Sequence, residues 1–78
     1  MINWREHLTR NHDISGGQLC AVGTRIPVTI ILANLADGLT RDELQKQYPS
    51  LLTAHIDAAL SYAADLAEEE VILPLRSL

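Results

Sequence analysis

The chain has 78 residues, of which 47% are hydrophobic, and a formal net charge of −4. This length allows one small domain, and the single cysteine excludes an internal disulfide bond, so we expect oligomerisation to support a marginal core. The acidic balance argues against a protein that coats nucleic acid non-specifically.

The N-terminal ten residues contain no apolar run and carry three charged side chains, so they do not resemble a secretory signal. The longest apolar run, residues 27–33, is too short to cross a membrane. With one cysteine and no signal, a cytoplasmic location is expected.

Residues 13–28 are predicted to form extended structure with turns. Gly16 and Gly17 indicate a tight turn, and residues 19–22 form a short apolar run in which Cys20 is expected to face the core. Two or three short strands are not stable alone, so this hairpin or β-arm must pack on helices or pair with a second chain.

The first predicted helix begins at Pro27, which suits the first helical position, and ends at Gly38. Its apolar residues recur at helical spacing and form one stripe, which consists of Val28, Ile31, Leu32 and Leu35.

The second predicted helix opens with a capping box formed by Thr40 and Glu43. Leu44 and Tyr48 are its expected inward pair, and Pro49 ends it.

The third and longest helix is predicted from about Thr53 to Glu69. One apolar stripe is formed by Ile56, Ala59, Leu60, Ala63 and Ala67, with Ala58, Tyr62 and Leu66 beside it. The opposite, polar strip is formed by Asp57, Ser61, Asp65 and Glu68. Because this apolar surface is wider than one small core needs, we predict a homodimer. Its predicted contacts are Leu19, Val22, Ala58, Tyr62 and Leu66.

The charge is concentrated in the second half of the chain. Residues 1–40 are neutral, and residues 41–78 carry the whole charge of −4. Apolar, β-prone residues follow the last acids, and an exposed apolar tail usually has a partner. The hypothesis for a partner-binding surface therefore comprises Asp65, Glu68, Glu69, Glu70, Val71, Ile72, Leu73 and Leu75. Folding back of this tail on its own domain or on a dimer mate remains the alternative.

The chain has four soft metal ligands, namely His7, His12, His55 and Cys20, and they lack the clustered spacing of a zinc site. The simpler interpretation is that the histidines lie on the surface and that the thiol is packed in the core. A Cys–His nucleophile is conceivable, but no third group is evident to orient the base. No cofactor, metal or catalytic residue is predicted, and the protein is expected not to be an enzyme.

The second and third helices have the outline of a helix-turn-helix. A recognition helix needs basic residues toward phosphate, whereas the outer strip of the third helix has none. Arg25, Arg41 and Lys46 are the residues that could still contact a DNA backbone. A DNA-binding regulator therefore stays an alternative to a protein-binding module.

A series of short motifs resembles the domain of unknown function 433 family. The series runs through Gly16-Gly17, residues 23–28, Ile31-Leu32, residues 35–38, Tyr48-Pro49, Ile56, residues 58–60 and Tyr62-Ala63. The resemblance implies a homeodomain-like three-helix fold with an N-terminal β-arm, often dimeric. It also implies an antitoxin-like role, commonly beside a PIN-like nuclease toxin, and it carries over no catalytic or metal residues.

Two departures from the family pattern stand out. Gln18-Leu19 stands where the family usually has a basic residue and a proline. Residues 51–55 lack the acidic residue that usually completes the cap of the third helix, so that cap is expected to be weaker.

The sequence thus predicts a single mainly α-helical domain. Residues 1–27 form the β-arm and turns, residues 28–69 the three helices and residues 70–78 an apolar tail. The leading functional hypothesis is an antitoxin that binds and neutralises a nuclease toxin; a DNA-binding regulator or a self-associating module of unknown role is the alternative.

Overall fold

The computed structural model describes residues 2–13 and 15–69, without the side chains of Ser15 and Glu69. A short hairpin precedes three helices, which confirms the prediction of a mainly helical domain with an N-terminal β-arm. Five predicted partner-binding residues lie outside the described residues, namely Glu70, Val71, Ile72, Leu73 and Leu75.

The hairpin pairs strands β1 (Leu8–Arg10) and β2 (Leu19–Ala21) antiparallel, with Thr9 opposite Cys20. The prediction that the whole hairpin lies within residues 13–28 is therefore wrong, since its first strand lies upstream. A three-residue strand is too short for an alternating pattern to stand out, and the connection is a long loop. Gly16 and Gly17 do adopt the positive φ angles that this loop requires.

Helix α1 begins at Val28, the first residue of the predicted helical region 28–69, and runs to Ala36 (Val28–Ala36), so Pro27 precedes the helix and does not occupy its first position. Pro27 is its N-cap, in an extended conformation with φ −66° and ψ 148°. Gly38 follows the helix with φ 98°, which confirms the predicted left-handed stop. The predicted stripe faces inward, with Ile31 fully buried.

Helix α2 (Arg41–Gln47) has the predicted capping box, in which the Thr40 hydroxyl accepts from the Glu43 N–H and the Glu43 carboxylate accepts from the Thr40 N–H (3.1 and 2.8 Å). These two bonds satisfy backbone donors that the helix leaves unpaired at its start. Leu44 is fully buried and Tyr48 is half-buried beside it, as predicted.

Helix α3 (Thr53–Glu69) has the predicted bounds, and the backbone N–H before its first residue is paired despite the missing acid. His55 fills that role, because its Nδ1 accepts a hydrogen bond from the Leu52 N–H at 3.0 Å. The expectation of a surface histidine is wrong for this residue, which is only 6% exposed.

The core lies where the three helices meet, with the hairpin packed against α1 and α3. Each fully buried leucine or isoleucine contributes about 1.5–3 kcal/mol of transfer free energy. The largest fully buried side chains are Ile31, Leu44, Leu51, Ile56 and Cys20. Cys20 thus occupies the core, as its place in the predicted strand suggested.

The buried arc of α3 differs from the predicted apolar stripe. Leu60 was expected to face inward but is 40% exposed. Ala58 was predicted as a dimer contact but is fully buried in the domain's own core, so it offers no surface to a second chain. The reason is that the hairpin and the N-terminal segment also cover α3, which turns its buried face away from the expected stripe.

Candidate protein-interaction surface

The polar strip of α3 is not the free surface that the sequence suggested. Ser61 is 7% exposed and its hydroxyl lies 3.4 Å from the carbonyl oxygen of Ile2. Asp65 accepts a hydrogen bond of 2.7 Å from the Trp4 indole Nε1–H. Only Glu68 is exposed without a described polar partner.

A 3-10 turn at Trp4–Glu6 covers this strip. The Trp4 ring meets the Tyr62 ring edge-on, with centroids 4.9 Å apart and planes at 75°. The Arg5 guanidinium lies 4.3 Å above the Trp4 ring, in the geometry of a cation–π contact. Sequence reasoning missed Trp4, and a lone tryptophan before the first strand was the one signal available.

The residues that could contact DNA are dispersed. Arg41 forms an ion pair with Asp57 of α3, so its charge is already partly compensated. Arg25 and Lys46 are exposed, on the loop before α1 and on α2. The N-terminal turn lies across the part of this face that contains Ser61 and Asp65, so bulk as well as charge disfavours its entry into a DNA groove.

An apolar groove opens between β2, α1 and α3, with Tyr62 in its lining. We call it the β2–α1–α3 groove; its volume is about 390 Å³. Its lining residues are Arg10, Gln18, Leu19, Val28, Thr29, Leu32, Tyr62 and Leu66. Three predicted dimer contacts therefore come together here, namely Leu19, Tyr62 and Leu66. Val22, a fourth, is 42% exposed in the turn after β2 and does not line the groove.

A second cleft, of about 380 Å³, lies beside the Arg41–Asp57 ion pair, where Ile2 and Leu60 form part of its wall. Its charged groups are already paired with each other, so it presents no unpartnered charge to a ligand.

Titratable groups do not converge on a reactive centre in the part of the chain that the structure describes. No cluster of three or more metal-ligating side chains occurs among residues 2–13 and 15–69. The Cys20 thiol is buried and donates to the Gln18 carbonyl at 3.3 Å. Burial lowers the pKa of His55, which is occupied in capping α3. Across the described residues, no helix is long and apolar enough to cross a membrane.

Comparison with known proteins gives a family but no activity. The sequence matches the family model described as "Protein of unknown function (DUF433)" over residues 8–63. The fold is similar to the crystal structure of a DUF433 member from Anabaena variabilis ATCC 29413, with a TM-score of 0.71 and 30% sequence identity. The similarity covers 81% of this chain and 62% of that one, so this chain spans less than two thirds of that protein's length. No curated protein matches the sequence.

Proposed function

Since this chain belongs to the DUF433 family, whose function is not known, we propose that it is an antitoxin-like protein-binding module that binds and neutralises a PIN-like nuclease and has no enzymatic activity itself. The observation that carries the proposal is the acidic C-terminal end of α3, where Glu68 is exposed and the last turn contains no basic residue.

This end of α3 is electrostatically unfavourable on its own. The carbonyl groups at a helix C-terminus carry a partial negative charge, so acidic side chains there are disfavoured and cations are favoured. Glu68 and Glu69 occupy that position, and Glu70 follows in the sequence. A basic partner surface would relieve this repulsion, and nucleases present such surfaces because they must attract phosphate.

The competing DNA-binding function fits the described surface less well. Trp4 and Ile2 lie across the face of α3 that a recognition helix would place in the groove, and Arg41 is paired with Asp57. A DNA regulator would show a mobility shift that weakens steeply with salt and that requires Lys46.

The test is co-expression with the product of the neighbouring gene, which the proposal requires to be a PIN-like nuclease. Glu68→Lys should weaken the complex roughly tenfold, because it replaces an attractive rim charge by a repulsive one. Asp37→Lys is the matched control: it also changes the net charge by two units at an exposed site at the C-terminal end of a helix, α1. It should leave binding unchanged.

Nuclease activity should fall when the wild-type complex forms and return with the Glu68 variant. Absence of a complex, or equal effects of the two charge reversals, would contradict the proposal.

A further inference from the structure

The β2–α1–α3 groove combines an apolar floor with a single charge. Leu19, Leu32 and Tyr62 are only partly buried, and Leu66 is 43% exposed. Arg10 is the one charged residue in the lining. Its guanidinium donates to the Gly17 carbonyl at 3.2 Å and forms no ion pair with any residue in the described ranges. A matching ligand would therefore carry aliphatic side chains next to a carboxylate.

The chain itself carries such a segment. Residues 70–75, with the sequence Glu-Val-Ile-Leu-Pro-Leu, place one carboxylate directly before four aliphatic side chains. We propose that the β2–α1–α3 groove of one copy binds residues 70–75 of a second copy, with Glu70 near Arg10 and the aliphatic residues against Leu19, Leu32 and Leu66.

The sequence favours a second copy over return to the same chain's groove. Leu66 lies one turn before Glu69, so residues 70–75 could reach it only if the chain reversed immediately after α3. Such reversals usually use glycine or asparagine in the left-handed region. Residues 69–73 contain neither, and Val71 and Ile72 are β-branched, which makes positive φ angles costly.

Reciprocal exchange would fill both grooves in a two-fold symmetric dimer. Each copy would give one apolar segment and receive another, which would bury Leu66 and supply the oligomeric support that a 78-residue chain with no disulfide needs. This inference concerns self-association and does not depend on the proposed nuclease.

Sedimentation velocity of the full chain at micromolar concentration tests the proposal. The wild type should be a dimer, and Leu66→Lys in the groove should be a monomer. Leu60→Lys is the matched control, because Leu60 is a leucine of the same helix with nearly the same exposure (40% against 43%) but lies outside the groove. It should remain a dimer. The double variant Ile72→Lys, Leu73→Lys should be a monomer with the groove intact.

Mixing the two monomeric variants distinguishes segment-in-groove binding from groove-on-groove packing. The Leu66 variant keeps a functional segment and the Ile72, Leu73 variant keeps a functional groove, so together they should form a heterodimer, recovering about half the contacts of the wild type. Circular dichroism checks that every variant is folded. A monomeric wild type, a dimeric Ile72, Leu73 variant, or no heterodimer on mixing would each overturn the proposal.

Discussion

His55 caps α3 through a buried imidazole ring. Its Nδ1 accepts from the Leu52 N–H at the start of the helix, at 3.0 Å. An acceptor at Nδ1 requires the neutral ring with its proton on Nε2. The histidine thus takes the place of a capping glutamate.

Stability should fall in mildly acidic solution because of His55. Burial lowers its pKa below the ordinary 6.5; the neighbouring Val22 backbone opposes this shift, and the nearby His7 reinforces it. The unfolded chain therefore binds a proton more readily than the folded chain. The stabilisation is complete above about pH 6.5 and is lost as the pH falls through the folded-state pKa. Urea denaturation at a series of pH values measures it.

A glutamine at position 55 separates the effect of ring ionisation from that of the hydrogen bond to Leu52. His55→Gln keeps an acceptor and a donor but does not titrate, so it should flatten the dependence of the urea midpoint on pH. His55→Ala leaves a buried N–H unpaired and should cost about 1–3 kcal/mol at neutral pH. His12→Gln, at an exposed site, is the control. An unchanged pH dependence in His55→Gln would assign the effect to another group.

Helices α2 and α3 both begin near a threonine, but only the threonine before α2 caps its helix through its hydroxyl. Thr40→Ala removes the hydroxyl that accepts from the Glu43 N–H and should lower stability by about 0.5–2 kcal/mol. Thr53→Ala is the matched control, because Thr53 is the first residue of α3 and its hydroxyl takes part in no hydrogen bond among the described residues. Equal losses in urea denaturation would show that helix propensity, and not capping, sets the effect.

Helix boundaries could be predicted because their signals are local. Each signal lies within one or two turns of the helix end that it determines. These signals are the capping box at Thr40, the glycine at position 38 and the spacing of apolar residues in α1. Strand β1 could not be found in this way, since three residues carry little pattern and its partner β2 begins nine residues later. His55 was misplaced because a histidine is an unusual substitute for a capping acid.

At the scale of the whole molecule, the site residues were predicted less well than the elements. Periodicity identified Leu19, Tyr62 and Leu66 as apolar surface, and the fold brings them into one groove. Periodicity wrongly predicted that Ala58 and the polar strip of α3 would be exposed. Which side of a helix is covered depends on segments that are distant in sequence. Trp4 contacts Asp65 across 61 positions, and no local pattern reports such a pairing.

The Trp4–Asp65 hydrogen bond closes the chain's N-terminal turn onto the far end of α3, so it should stabilise the whole domain. Trp4→Phe keeps an aromatic ring against Tyr62 but removes the indole N–H, and should cost about 1 kcal/mol. Asp65→Ala should cost a similar amount, and the double variant should cost little more than either, because both changes break one bond. Urea denaturation followed by circular dichroism measures the coupling, since Trp4→Phe removes the chain's single tryptophan fluorophore. Losses that add in full would mean that the two side chains stabilise the fold independently, and the N-terminal turn would then be held by the contact between Trp4 and Tyr62 and by the Ser61–Ile2 hydrogen bond.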